Sequence, residues 1–186
     1  MTSSTQRRRD HLFLAALVPA PLNGELEERT RIWARGKGWS DTPTPAKKLH
    51  VSLIGFGEYA ALPSEAIDWI AARILRFSFP PFDVVFDRLT KFNGPFVLAG
   101  SAGAVNGLVS LRRDLISHVF SEAQPADRGF APHVSLLWTK RSAKEQVIAP
   151  LHWKVREIVL IRSTAGVGHS HLARSKQQRE ARPGAA

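Results

Sequence analysis

The chain has 186 residues, of which 44% are hydrophobic and 23% are charged, values typical of one ordinary globular domain that builds its own core. It contains no cysteine, which excludes a disulfide scaffold, a thiolate nucleophile and a zinc site with cysteine ligands. Its net charge of +10 favours an anionic partner, either a nucleic acid or a phosphorylated ligand.

The predicted elements begin after a basic N-terminal arm, residues 1–10, which we expect to be flexible. Residues 11–18 form a first strand. This apolar run follows three arginines but is not a signal peptide, because it has only the length of a strand and prolines follow it without a convincing cleavage site. No window reaches the roughly 18 apolar residues of a membrane helix. We therefore expect a cytoplasmic protein that does not contact a membrane.

The later elements alternate between the two types of secondary structure. Apolar spacing and turn residues predict helices at 22–38, 63–75 and 105–120, and strands at 49–57, 81–92, 95–100, 132–138 and 153–163, the last of them long and central. This order predicts an α+β fold with mostly antiparallel strands. The two halves resemble each other, which indicates an internal duplication about a pseudo-two-fold axis. The basic residues 176–186 are expected to be a disordered tail.

One tetrapeptide, His-Val-Ser-Leu, occurs at 50–53 and again at 133–136, each time inside a predicted strand. Alternate side chains of a strand share a face, so the valines and leucines can pack on helices while the histidines and serines point the other way. A buried imidazole or hydroxyl without a partner costs about 1–3 kcal/mol. If the halves are related by two-fold symmetry, both imidazoles and both hydroxyls line a single cleft.

Two opposed imidazoles suit the cleavage of a phosphodiester by acid–base catalysis. One imidazole takes a proton from the attacking water, and the other gives a proton to the leaving oxygen. The hydroxyls of Ser52 and Ser135 can donate hydrogen bonds to the non-bridging phosphate oxygens as negative charge grows there. This arrangement requires neither a metal ion nor a cofactor.

The two tetrapeptides resemble the paired H-x-[ST]-hydrophobic motifs of the 2H phosphoesterase superfamily. The segments HLFLAALVP, LHVSLIGFGE, RGFAPHVSLL and EIVLIRSTAG are similar to its RNA 2′,3′-cyclic phosphodiesterase branch, also called 2′-5′ RNA ligase, and the likeness covers residues 11–175. It implies a single bilobal α+β domain, with two mostly antiparallel sheets around a central cleft and helices on the outer faces. It also implies the opening of a 2′,3′-cyclic phosphate, on RNA ends or small cyclic nucleotides, to a 2′-phosphate without a metal, a cofactor or an obligate protein partner.

The resemblance carries the catalytic roles over to this chain by position. His133 is expected to be the base that activates water, His50 the acid that protonates the 3′-oxygen, and Ser52 and Ser135 the phosphate-binding hydroxyls. The symmetry of the motifs leaves the reverse allocation of acid and base open.

The sequence departs from the family pattern in two ways. Both motifs have serine where threonine is commoner, and Trp138 stands where many relatives have an arginine. Arg128 or Lys140 could replace that phosphate clamp, and Trp138 or Phe56 could stack on a base. Two alternatives follow. One is a non-catalytic module that binds RNA ends or cyclic phosphates, and the other is an enzyme for another cyclic phosphate, such as that of ADP-ribose.

The remaining histidines are assigned no function by their sequence context. His169-Ser170-His171 has the spacing of some metal-binding pairs, but no carboxylate accompanies it, so no metal site is expected. His11 lies at the start of a predicted strand and indicates nothing further.

Overall fold

The computed structural model describes residues 9–120 and 129–178. In these ranges the helices are α1 (Ala20–Gly36), α2 (Ser64–Arg76) and α3 (Asn106–Phe120), with a 3₁₀ turn at Ala46–Lys48. The strands are β1 (Asp10–Leu17), β2 (His50–Tyr59), β3 (Ser78–Phe79), β4 (Phe82–Lys91), β5 (Pro95–Ala99), β6 (His133–Trp138), β7 (Gln146–Val155), β8 (Val159–Thr164), β9 (Gly168–Arg174) and β10 (Lys176–Gln177).

Eight strands form one sheet in the order β7-β4-β5-β6-β2-β1-β8-β9, and neighbouring strands are antiparallel. The sheet has two four-stranded halves, which meet where Val51 of β2 pairs with Val134 of β6. The predicted α+β fold with mostly antiparallel strands is therefore confirmed. The two expected sheets are the halves of one sheet, because their inner edge strands are hydrogen-bonded to each other.

The core lies between the helices and one face of this sheet. The side chains of Val51, Leu53, Val134 and Leu136 are all at most 2% exposed, so the apolar residues of both tetrapeptides belong to this core. Helix α3 buries Leu108, Leu111, Leu115 and Val119 in the same cluster, and α2 buries Ile70 and Ile74. Burial of each such side chain stabilises the fold by about 1.5–3 kcal/mol. The histidines and serines of the tetrapeptides consequently face away from the helices.

The single long strand predicted at 153–163 is wrong. It is two strands in different halves: β7 ends at Val155 and lies at one edge of the sheet, whereas β8 begins at Val159 and lies between β1 and β9. The chain crosses between the halves through Ile158, which is fully buried and whose amide donates to Ser175 Oγ at 2.9 Å. Because Ile158 is buried directly before β8, the apolar pattern resumes after only two charged residues, Arg156 and Glu157, and the sequence resembles one continuous strand.

The two ends of the chain lie mainly outside the described residues. Of the expected basic arm 1–10, the structure describes the last two residues, and Asp10 begins β1. Of the expected tail 176–186, it describes residues 176–178, where β10 pairs in parallel with β3. Within the described ranges, no helix combines the length and apolar character needed to span a bilayer.

Candidate active site

The two tetrapeptides lie side by side at the junction of the half-sheets. Continuing the antiparallel register from the Val51–Val134 pair places His50 opposite Ser135, and Ser52 opposite His133. Residues directly opposite each other in an antiparallel pair share a face, with Cβ atoms about 4.5–5.5 Å apart. The four polar side chains therefore form a two-fold symmetric rectangle on the sheet face away from the helices.

Each imidazole of this rectangle is held by the carbonyl group two residues before it. Nδ1 of His50 donates to the carbonyl oxygen of Lys48 at 2.6 Å, and Nδ1 of His133 donates to that of Ala131 at 2.8 Å. A carbonyl oxygen only accepts, so in both neutral rings Nδ1 carries the proton and Nε2 carries the lone pair. Nε2 is consequently the nitrogen that can accept a proton in both rings.

The environment of the two histidines is not symmetric. Burial lowers the pKa of His50 from its usual 6.5, and the nearby charge of His133 lowers it further, while the Lys48 carbonyl opposes both effects. The ring of Phe13 stacks on His50 with centroids 4.9 Å apart, whereas Phe92 meets His133 edge-on at 4.9 Å. Hydroxyl Oγ of Ser52 lies 3.0 Å from Nε2 of His50 and donates to it. His50 is therefore favoured in its neutral form.

A cleft with a volume of about 460 Å³ opens over this face. Its floor includes His50, Ser52 and Ser135, and one wall is the Pro-rich loop 42–45. This loop is fixed to β6, because the amide of Thr44 donates to the carbonyl oxygen of Leu136 at 2.6 Å. His133 lies opposite Ser52 in the same register. The cleft is large enough for a small-molecule ligand.

The family model of the 2′-5′ RNA ligase superfamily matches residues 19–167. The chain belongs to this superfamily. Its resemblance to 2H phosphoesterases is thereby confirmed, and membership supports a phosphoesterase-type activity. No curated protein sequence matches the chain significantly.

Solved structures give the same fold for this member of the superfamily. Escherichia coli LigT in complex with 3′-AMP is 27% identical, with a TM-score of 0.63 over 92% of this chain and 99% of LigT. TT0787 of Thermus thermophilus is 22% identical, with a TM-score of 0.65 over 92% of this chain and all of TT0787. LigT in complex with ATP is 23% identical, with a TM-score of 0.66 over 92% of this chain and 99% of LigT.

Trp138, the expected departure from the family motif, lies at the mouth of the cleft. Its side chain is 67% exposed, and its ring packs on Gly94, where a Cβ atom would come within 2.5 Å of the ring. Gly94 has φ = +111°, which also favours glycine. Beyond the ring lies a second cavity of about 570 Å³, lined by Lys140 and Arg141 among others. Lys140, expected as a replacement phosphate clamp, lines this second cavity and not the cleft.

Phe56 does not lie in the cleft, contrary to the expectation that it stacks on a base. Its ring packs against Phe120 of α3, with centroids 6.1 Å apart, on the helix side of the sheet. The register of β2 against β1 shifts at Leu53, so both Leu53 and Ile54 are buried and the alternation of faces reverses after Ser52. Arg128 lies outside the described residues.

Several cleft residues were not identified from the sequence: His11, Lys48, Ser163 and His169. The ring centroid of His169 lies 5.5 Å from that of His50. Burial, together with the charges of His50 and Lys48, lowers the pKa of His169 to about 4. The alternation His-Ser-His is itself a weak strand signal that could have placed His169 on a sheet face. In the part of the chain that the structure describes, no group of three potential metal ligands occurs.

Proposed function

We propose that the protein hydrolyses 2′,3′-cyclic phosphates, on RNA ends or small cyclic nucleotides, to 2′-phosphates without a metal ion. It would thus act as a hydrolase of RNA processing in the cytoplasm. The observation that carries this proposal is the symmetric pair of histidines, each with Nδ1 bound to a carbonyl oxygen and Nε2 left for proton transfer. The hydroxyls of Ser52 and Ser135 complete the same rectangle.

In the proposed reaction, Nε2 of His50 takes a proton from a water molecule, whose oxygen attacks the phosphorus atom. The bond between phosphorus and the 3′-oxygen breaks, and protonated Nε2 of His133 gives its proton to that oxygen. One P–O bond forms, one breaks and one water molecule is consumed. Solvent then restores both protonation states.

This allocation of roles is the reverse of the one expected from the sequence, in which His133 is the base. It rests on the environment of His50, since burial and the charges of neighbouring histidines lower its pKa and so favour the neutral form that a base needs. The acid must instead be protonated, and His133, whose Nδ1 is held by the Ala131 carbonyl oxygen, is the imidazole left for that role.

The serines are assigned to the phosphate group and Trp138 to a base of the substrate. Oγ of Ser52 lies 3.0 Å from Nε2 of His50. Rotation of the Ser52 hydroxyl would therefore move its proton from Nε2 to an oxygen of a phosphate bound beside His50. Trp138 offers one exposed ring face at the cleft mouth, and stacking of a base on such a ring is worth about 1–3 kcal/mol. The substrate would therefore lie with its phosphate at the rectangle and a base near Trp138.

The pH dependence of kcat/KM on adenosine 2′,3′-cyclic phosphate tests these roles. As pH falls through the pKa of the base, activity is lost, and since the pKa of His50 is lowered, the acidic limb is expected below pH 6.5. As pH rises, activity is lost again when the acid gives up its proton. A bell-shaped profile with both limbs supports the pair. A profile that is flat over the acidic range, or an absence of turnover at every pH, would contradict the proposal.

A further inference from the structure

One end of the cleft carries a row of polar side chains that the proposed reaction does not use. The register pairs His11 of β1 with Ser163 of β8, and Ser163 with His169 of β9. Directly paired residues point to the same face of a sheet. All three side chains line the cleft, so the row crosses its floor on three adjacent strands.

Lys48 adds a basic side chain to this end of the cleft. Its side chain lines the cleft, and its Cε lies 3.8 Å from where a Cβ of Gly168 would be, directly before His169. Its charge is also one of the causes that lower the pKa of His169. No carboxylate lines the cleft among the described residues. Glu58 pairs with His11 in the β1–β2 register, but its carboxylate forms an ion pair with the guanidinium of Arg9, with Oε2 and Nη1 3.6 Å apart. The local field therefore favours an anion.

The row lies next to the catalytic rectangle. The ring centroids of His169 and His50 are 5.5 Å apart, and Phe13 contacts both rings, at 5.7 Å and 4.9 Å. A group bound by the row is consequently within the span of a single nucleotide from a phosphate at His50. In an RNA end, the next anionic group along the chain is the phosphate on the 5′-oxygen of the same ribose.

We propose that Lys48, His11, Ser163 and His169 form a second phosphate subsite, which binds the phosphate on the 5′-oxygen of the ribose that carries the cyclic phosphate. This inference rests on the proposed function. Lys48 supplies the fixed charge, and Ser163 and the imidazoles supply O–H and N–H donors. The subsite distinguishes a terminal nucleotide with a 5′-phosphate, as in RNA, from a nucleoside 2′,3′-cyclic phosphate with a free 5′-hydroxyl.

Calorimetric binding of two product-like probes, adenosine 2′-monophosphate and adenosine 2′,5′-bisphosphate, tests the subsite without turnover. Since charge-assisted hydrogen bonds are stronger than neutral ones, we expect the wild type to bind the bisphosphate about tenfold more tightly. Lys48→Met and His169→Asn are expected to remove most of this preference. Lys47→Met, in the same 3₁₀ turn, and His171→Asn, on the same strand, are matched controls that should retain it.

The ratio of the two dissociation constants separates the subsite from a structural role. Equal affinity of the wild type for both probes would overturn the proposal. So would an equal loss of affinity for both probes in the variants, because a structural disturbance of the site around His50 would weaken the binding of both ligands alike. A third probe, the bisphosphate with a methyl ester on its 5′-phosphate, distinguishes a phosphodiester of RNA from a free 5′-monoester. If this probe still binds more tightly than adenosine 2′-monophosphate, the subsite is assigned to an RNA diester; if it does not, the subsite is assigned to a free 5′-monoester. Turnover is assayed separately, so a probe preference without hydrolysis would contradict the proposed reaction and leave the subsite standing.

Discussion

Replacing His50 or His133 with glutamine is expected to lower kcat/KM on adenosine 2′,3′-cyclic phosphate by about 10²–10⁴-fold in each case. Glutamine can still form hydrogen bonds but cannot transfer a proton at neutral pH, so each variant retains the cleft and loses one half of the acid–base pair. Steady-state kinetics of both single variants and of the double variant provide the measurement. Since the two histidines act as a unit, the double variant should lose less than the product of the two single losses.

The control for the histidine variants is His152→Gln. His152 is exposed on β7, the edge strand of the half-sheet that contains His133, and it does not line the cleft. This variant should keep wild-type kinetics. It and all the variants of His50 and His133 should keep the wild-type circular dichroism spectrum. If the His50 or the His133 variant retains more than about a tenth of the wild-type activity, a role of that histidine in proton transfer is contradicted, because loss of a general acid or base usually lowers the rate at least about 100-fold.

The second large effect is expected for the serines. Ser52→Ala and Ser135→Ala should each lower kcat by about 10²–10³-fold, the usual cost of removing a donor to the charge that develops in a transition state. Single-turnover measurements at saturating substrate isolate this effect from binding. Ser52→Thr and Ser135→Thr keep the hydroxyl and should recover most of the rate.

Ser170→Ala is the matched control for the serines, because Ser170 is exposed on β9 and does not line the cleft. An increase in KM without a change in kcat in the two alanine variants would show that the hydroxyls bind the ground state and the transition state equally. That result would contradict their proposed role at the developing charge.

The central features of the site could be predicted because they are local. A repeated His-Val-Ser-Leu on two strands specifies which side chains share a face, and the burial of Val51, Leu53, Val134 and Leu136 follows from the same alternation. The helices could be predicted for the same reason, since their apolar stripes repeat with the helical period. The meeting of the two tetrapeptides at one site could be predicted from the resemblance of the two halves alone.

The parts that could not be predicted depend on contacts between distant segments. The reversal of faces at Phe56 comes from a register shift against β1, which no alternation pattern contains. His11 and His169 reach the cleft through the pairing of β1 and β9 with β8, and β9 itself is mainly polar, with only Ala173 fully buried. The different environments of His50 and His133 arise in the same way, because Phe13 stacks on His50 across strands.

The measurement that most directly tests the account is ³¹P NMR of adenosine 2′,3′-cyclic phosphate incubated with the wild-type protein in EDTA. The account predicts conversion to adenosine 2′-phosphate at a rate that EDTA does not change, because the proposed proton transfers need only the two histidines. Binding of the cyclic phosphate without conversion would instead support a non-catalytic module, and activity that EDTA abolishes would contradict metal-independent catalysis.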